Sequence, residues 1–344
     1  MKKIGILTGG GDCPGLNAVI RAVVKRAIDT YNLQVLGIRE GWAGLIKGSV
    51  EPLTYFSISG ILPRGGTILG TSRTNPFKSE EALQRTLNSI EKYGIDGLVV
   101  VGGEDTLGVA HRLYGQGIPV VGVPKTIDND LPCTDYTFGF DTAVSIVAEA
   151  IDRLHTTAES HHRVMVIEVM GRHTGWIATV AGIAGGADCI LIPEIPFKIK
   201  HVAEMIKKRR ARGKTFSIIV VAEGVEFGES NGLVVQDEKT DEFGHALLGG
   251  VGIIIGKKIE ELTGMETRVT NLGYIQRGGT PTAFDRVLAT RFGVKAVDML
   301  ANGEHGKRAC LRGNAIESVD LKEVISSSKV INPELYKIAE LFFG

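Results

Sequence analysis

The stretch of this 344-residue chain best equipped for chemistry is Pro124-Lys125-Thr126-Ile127-Asp128-Asn129-Asp130, which follows directly on the apolar run Val120–Val123. Lys125 can offer a mobile ammonium to a phosphate, and Asp128 or Asp130 can accept a proton from a hydroxyl. Phosphoryl transfer asks for this combination, because the protein mainly positions the reactants, neutralises charge and orients the nucleophile. Clustered aspartates more often serve the turn itself, by hydrogen-bonding to nearby backbone. Three more loops, Gly9–Gly15, Gly102–Thr106 and Met170–Gly175, also end an apolar run in glycine and charge, and four such loops are harder to dismiss together.

The first of these reads Thr8-Gly9-Gly10-Gly11-Asp12-Cys13-Pro14-Gly15-Leu16-Asn17. Glycines between a strand and a helix let backbone N–H groups approach phosphate oxygens. It is not a Walker loop, since Leu16 and Asn17 follow Gly15, and Pro14 stands where a dinucleotide fingerprint needs its third glycine. A tight structural turn explains it equally well. Glu104 and Asp105 are adjacent carboxylates that can hold a phosphate-bound Mg²⁺, or simply form the acidic first turn of a helix, which is the commoner meaning. Arg172, Arg268 and Arg277 add guanidiniums suited to bidentate phosphate capture, though an arginine is more often solvated surface. His161, His162 and His173 show no metal-ligand spacing.

The elements that must position these loops are short β-branched runs without alternation: Ile4–Thr8, Gly97–Val101, Val120–Val123, Val164–Val169, Cys189–Ile192 and Ser217–Ala222. Such runs predict strands covered on both faces. Helical spacing of apolar residues predicts helices over 16–28, Ser79–Tyr93, Val202–Arg212, Val251–Leu262 and Ala283–Leu300. Alternating strands and helices imply an α/β fold with a parallel sheet, whose ligands bind at the carboxyl ends of the strands. The length favours two domains. With 39 basic and 39 acidic residues, the formal net charge of zero gives no reason to expect nucleic acid or an anionic membrane as partner. Cys13, Cys133, Cys189 and Cys310 lack paired spacing, which argues against zinc and a disulfide framework and suits a reducing, cytoplasmic setting. Ile4–Leu7 is short for a signal peptide, and Gly175–Ala187 falls short of the ~18–20 apolar residues of a membrane span.

Taken in order, GGGDCPGLN (9–17), LPRGGTILGTSR (62–73), GGEDT (102–106), PKTIDND (124–130), EVMGRHTGW (168–176), AEG (222–224), ETR (266–268) and GYIQRGGTPTAFDR (273–286) resemble the 6-phosphofructokinases across nearly the whole chain. The resemblance implies two three-layer α/β domains with mainly parallel sheets and an active site in the cleft between them. It places a phosphate-donor domain at 1–139 plus 276–326, and a fructose 6-phosphate domain at 140–275 plus 327–344. It implies transfer to the 1-hydroxyl of fructose 6-phosphate, with Mg²⁺ held through Glu104. Asp128 becomes the general base and Arg172 the cation on the transferring group. Thr126, Ile127, Asp128, Met170, Gly171, Arg172, Glu223, Tyr274, Ile275, Gln276 and Arg277 then line the sugar site, although many bacterial relatives carry histidine where Tyr274 sits. Arg163 and Arg268 match arginines that reach the 6-phosphate from a neighbouring subunit, which implies a homodimer or homotetramer. Gly11 matches the donor-phosphate loop.

Two positions depart from the ATP-dependent bacterial pattern, which reads GGDGS and PGTIDND where this chain has Asp105 and Lys125. Glycines there leave room for the α-phosphate of a nucleotide. An aspartate adds bulk and negative charge against it, and a lysine can hold the terminal phosphate of a shorter donor. On that pattern the chain is most similar to the members that use diphosphate (pyrophosphate). The alternative is an ATP-dependent 6-phosphofructokinase. A nicotinamide dehydrogenase lacks its third glycine here, and a sugar-phosphate sensor has no need of both a base and a magnesium carboxylate.

Overall fold

The computed structural model describes residues 1–227, 235–240, 243, 246–324 and 328–344. The larger sheet runs in the order Ala315–Asp320, Lys307–Arg312, Val120–Thr126, Gly97–Gly102, Lys3–Thr8, Gln34–Ile38, Val50–Leu53. Its inner pairs are parallel, and an antiparallel strand closes each edge. A smaller, wholly parallel sheet runs Thr267–Asn271, Val164–Val169, Ser217–Ala222, Cys189–Leu191. The chain leaves the larger sheet at Gly139, forms the helix Phe140–His161, builds the smaller sheet, and returns through Gly273–Arg277 to the helix Ala283–Ala301. The expected last crossing, at 326/327, falls outside the described residues.

Both faces of the larger sheet are buried, as its β-branched strands require. Successive residues point to opposite faces, so Val99 and Val101 join one apolar cluster while Leu98 and Val100 join another. The helix Leu16–Tyr31 packs against Ala283–Ala301, where Arg26 pairs with both carboxylate oxygens of Asp298, at 2.7 and 3.1 Å. Among the described residues, no helix is long and apolar enough to cross a membrane.

The six predicted strands and five predicted helices are present, with ends shifted by a few residues at most. The consequential shift is at Val120–Thr126, which continues past Val123 because Lys125 and Thr126 pair with Phe138 and Gly139. The loop read as Pro124–Asp130 therefore begins at Ile127, and Lys125 is a strand residue. Lys307–Arg312, with the sequence KRACLR, carries charge at both ends and offers no clear apolar run.

Asp285 joins the starts of the two helices that link the sheets. Its fully buried carboxylate accepts the Thr142 N–H at 2.8 Å and the Thr142 hydroxyl at 2.5 Å, and burial pushes its pKa up to about 6. Replacing Asp285 with Ala should leave both Thr142 donors unmet and cost about 1–3 kcal/mol. The measurement is the urea midpoint, and Asp285→Asn, which keeps an acceptor, should recover most of the loss. Equal midpoints for wild type and Asp285→Ala would remove this contact from the stabilising set.

Candidate active site

The carboxyl ends of four parallel strands open onto one cavity. Gly10, Gly11 and Asp12 line it from the first loop, Glu104 and Asp105 from the second, Lys125–Asp128 and Asp130 from the third, and Arg172 from the fourth. Arg277 and Arg73 complete the wall. Asp12 and Arg73 lie within the motifs quoted above, yet nothing in their spacing marked them as site residues.

Lys125 is only 4 % exposed, and its ammonium donates to the Gly11 carbonyl at 2.5 Å. The expected mobile ammonium is therefore a fixed one, held because its strand runs on through Thr126. A side chain on Gly11 would bring its Cβ within 1.8 Å of Arg277 Nη1, so the loop and that guanidinium fit together only around glycine. Burial pushes the Lys125 pKa down to about 8; the Arg277 and Arg172 charges push the same way, while Cys13 and Asp128 oppose them. The glycine loop is also less available to an anion than its sequence implies. Gly9 N–H is spent on the Val101 carbonyl at 2.9 Å, and Gly10 N–H on the Ser72 carbonyl at 3.0 Å.

Asp128 sits in a locked turn. Its N–H donates to Thr126 Oγ1 at 3.1 Å, and the Thr126 hydroxyl donates back to Asp128 Oδ2 at 3.3 Å. Asn129 takes a left-handed φ of 53°, and its Oδ1 accepts the Thr137 N–H at 3.1 Å, closing the turn from behind. Neither Asn129 nor Thr137 was anticipated, since this contact depends on how the turn closes. Asp128 Oδ1 is buried with no hydrogen-bond partner. A buried acceptor without a donor is costly, and this one lies on a residue that lines the cavity. Burial and the neighbouring Asp128 charge raise the pKa of Asp130.

Arg172 also has a left-handed φ, 52°, and its N–H donates to Glu223 Oε1 at 3.1 Å. Burial, then Asp128, push Glu223 up to about 7. Gln276 is fully buried; its Oε1 accepts the Met170 N–H at 3.3 Å, and its amide donates to the Gly273 carbonyl at 3.1 Å, binding the Met170-Gly171 turn to the 273–277 segment. Tyr274 and Ile275 are exposed, and the Arg277 guanidinium lies 5.8 Å from the Tyr274 ring centroid.

Arg163 and Arg268 are not part of this cavity. Both pair with Glu266, and they stand at the amino ends of Val164–Val169 and Thr267–Asn271, whereas Arg172 follows the carboxyl end. Five strand steps separate the two ends, roughly 16 Å at about 3.3 Å per residue.

Glu104 and Asp105 open the helix Glu104–Gly115, so the helix-start reading holds while both also face the cavity. Among the described residues no three Asp, Glu, His or Cys side chains gather as a metal cluster. Magnesium does not need one, because it takes one or two carboxylates and fills its other positions with water and phosphate oxygens. The Glu104 carboxylate on this wall is a hard-oxygen donor of the kind that ion takes.

The sequence profile of the family described as Phosphofructokinase matches residues 3–300. The chain belongs to the phosphofructokinase family. A Streptomyces coelicolor protein named pyrophosphate--fructose 6-phosphate 1-phosphotransferase is 54 % identical over 343 residues, covering 99 % of this chain and 100 % of that one. From the same organism, a protein named ATP-dependent 6-phosphofructokinase 2 is 49 % identical over 341 residues, with coverage of 99 % and 100 %. The solved phosphofructokinase of Saccharomyces cerevisiae superposes with a TM-score of 0.81 at 32 % identity, covering 99 % of this chain and 47 % of the yeast chain. The phosphofructokinase fold, two α/β units with mainly parallel sheets, is thus confirmed.

A buried lysine and a buried glutamate with displaced pKa values predict a narrow pH range. Below about 7 Glu223 gains a proton, and above about 8 Lys125 loses one, so the two charges are in place together only inside that window. kcat/KM for a phosphate donor should therefore fall as pH rises through about 8, and in Lys125→Arg the alkaline limb should move well upward. A wild-type profile flat from about pH 7.5 to 9.5 would contradict this. The stability sign is opposite: the folded-state pKa of Lys125 is depressed, so its burial penalty is full below about 8 and eases as pH rises toward the ordinary lysine value.

Proposed function

We propose that the chain is a diphosphate-dependent 6-phosphofructokinase that reversibly transfers a phosphoryl group from diphosphate to the 1-hydroxyl of fructose 6-phosphate. The observation that carries this reading is the placement of Asp105 and Lys125 on the same cavity wall as Asp128. Lys125 is fixed by its strand and by Gly11, ready to grip a terminal phosphate. Asp105 puts a carboxylate where a longer donor would have to continue. Relatives named for diphosphate and for ATP both match over the full chain, so family membership alone leaves the donor open.

In this mechanism Asp128 accepts the proton of the attacking 1-hydroxyl through its unpartnered oxygen, while the Thr126 turn keeps the carboxylate aimed. Arg172 stabilises the transferring group, and Glu223 accepts a sugar hydroxyl. Arg277 with Gly11 shapes the phosphate side. Thr126, Ile127, Met170, Gly171, Tyr274, Ile275 and Gln276 form the sugar side. Magnesium held through Glu104 would neutralise diphosphate charge. Residues 1–139 with 276–326 serve the donor, and 140–275 with 327–344 the sugar, in a cytoplasmic enzyme. Arg163 and Arg268 lie far from their own cavity, which supports a homodimer or homotetramer in which they complete a neighbour's site.

The deciding experiment couples product formation from fructose 6-phosphate and Mg²⁺ to a dehydrogenase, with diphosphate or ATP supplied separately. Strong turnover with diphosphate and little with ATP is expected; the reverse leaves the ATP-dependent reading standing. Sedimentation at assay concentration tests the oligomer, and a monomer with full activity would end the shared-site reading.

A further inference from the structure

The described segment 328–332 bonds both to the chain that follows the third loop and to the start of the helix that follows the fourth. On one side the Lys329 N–H donates to the Asp130 carbonyl at 2.7 Å. The Lys329 ammonium donates to the Thr134 and Asp135 carbonyls at 3.0 and 2.7 Å. On the other side the Lys329 carbonyl accepts the Trp176 indole N–H at 2.9 Å, and the ammonium lies 4.8 Å from the centroid of the Trp176 ring. Two residues on, Ile331 N–H donates to Glu194 Oε1 at 3.2 Å, and the same oxygen accepts Gly175 N–H at 3.0 Å.

These contacts divide between the two sheets. Asp130, Thr134 and Asp135 follow the strand of the larger sheet that bears Lys125, two residues and more beyond Asp128. Gly175 and Trp176 follow Arg172, beyond a strand of the smaller sheet. One residue thus bonds through its N–H two residues beyond Asp128 and through its ammonium to Thr134 and Asp135, and that ammonium lies over Trp176, which opens the helix behind the arginine. Charge-assisted bonds to two carbonyls and a cation–π contact make a stiff joint.

We propose that Lys329 is a positioning residue that sets the register of Asp128 against Arg172 across the cleft, an inference that rests on the phosphoryl-transfer reading above. In-line transfer requires base, acceptor and cation to be aligned at once, and a misplacement of ~1 Å can cost about 10²-fold in rate. Ground-state binding of the sugar phosphate depends on other residues and should change little. A purely structural strap behaves differently: it lowers the melting temperature and the folded fraction but leaves the turnover of folded enzyme alone.

The test compares wild type, Lys329→Met and Lys329→Arg as full-length enzyme, with kcat and KM for fructose 6-phosphate corrected for folded fraction. Lys329→Met keeps the length of an unbranched side chain and removes the donors; its kcat should fall about 10- to 100-fold while KM stays within about threefold. Lys329→Arg, still cationic and able to stack, should return kcat to within about threefold of wild type. Wild-type kcat in folded Lys329→Met, or equal losses in both variants, would overturn the assignment. Should Lys329→Met not fold, Trp176→Phe decides: it removes the N–H given to the Lys329 carbonyl, a fall in kcat at unchanged KM supports the joint, and an unchanged kcat overturns it. Each comparison uses whichever donor the wild type turns over, so a wrong donor fails in the wild-type arm and a wrong role for Lys329 fails in the variants.

Discussion

Replacing Asp128 with Asn should lower kcat by about 10²–10⁴ while the fold and sugar binding survive. The substitution is nearly isosteric, and an amide oxygen can still accept the Thr126 hydroxyl that now bonds Asp128 Oδ2 at 3.3 Å. What disappears is basicity. The Asp128 carboxylate is 5 % exposed, and its second oxygen has no hydrogen-bond partner to give up before it takes a proton. Steady-state kinetics together with sugar-phosphate binding by calorimetry make the measurement. Near-normal turnover in a folded variant would remove Asp128 from the role of base and direct attention to Asp130, whose raised pKa makes it the next candidate.

The second large effect concerns the donor. Asp105→Gly should admit ATP, raising its kcat/KM at least about tenfold, and Lys125→Gly alone should mainly damage diphosphate use, by about 10²-fold or more. Two unit charges ~4 Å apart interact by roughly 4 kcal/mol at an effective dielectric of 20, enough to choose between donors that differ beyond the second phosphate. Both residues line the cavity, one from the first turn of the helix Glu104–Gly115 and one from a strand end. Lys125 further holds the glycine loop through the Gly11 carbonyl, so its removal loosens the donor side as well as discharging it. An Asp105→Gly enzyme that still rejects ATP would show that the aspartate is not the barrier.

The inner strands were readable because burial on both faces demands unbroken β-branched runs, as in Val164–Val169 and Ser217–Ala222. Edge strands face a partner on one side alone and tolerate charge, so Val50–Leu53 and Ala315–Asp320 left little trace. In the site, residue types pointed to the chemistry, and spacing pointed to the loops. The state of Lys125 was not readable, because its burial follows from pairing with Phe138 and from the carbonyl of Gly11, both remote in sequence. The same holds for Gly11, whose need for a bare Cα comes from Arg277 rather than from its own turn. The glycine motif marked the right place, but Val101 and Ser72 carbonyls consume two of the N–H groups it promised.

The strand that carries Lys125 lies between Gly97–Gly102 and Lys307–Arg312. One neighbour precedes it almost immediately in the chain, and the other is made only after the whole smaller sheet. During synthesis, the Val121–Gly122 stretch of this strand must therefore wait as an open edge, with hydrogen-bonding groups exposed to any passing strand. The antiparallel pair Lys307–Arg312 and Ala315–Asp320 then acts as the closing seam of the molecule. A chain stopped before that seam would own every loop residue of the cavity and still lack the backing that keeps them in place, which makes the timing of translation part of how this site is built.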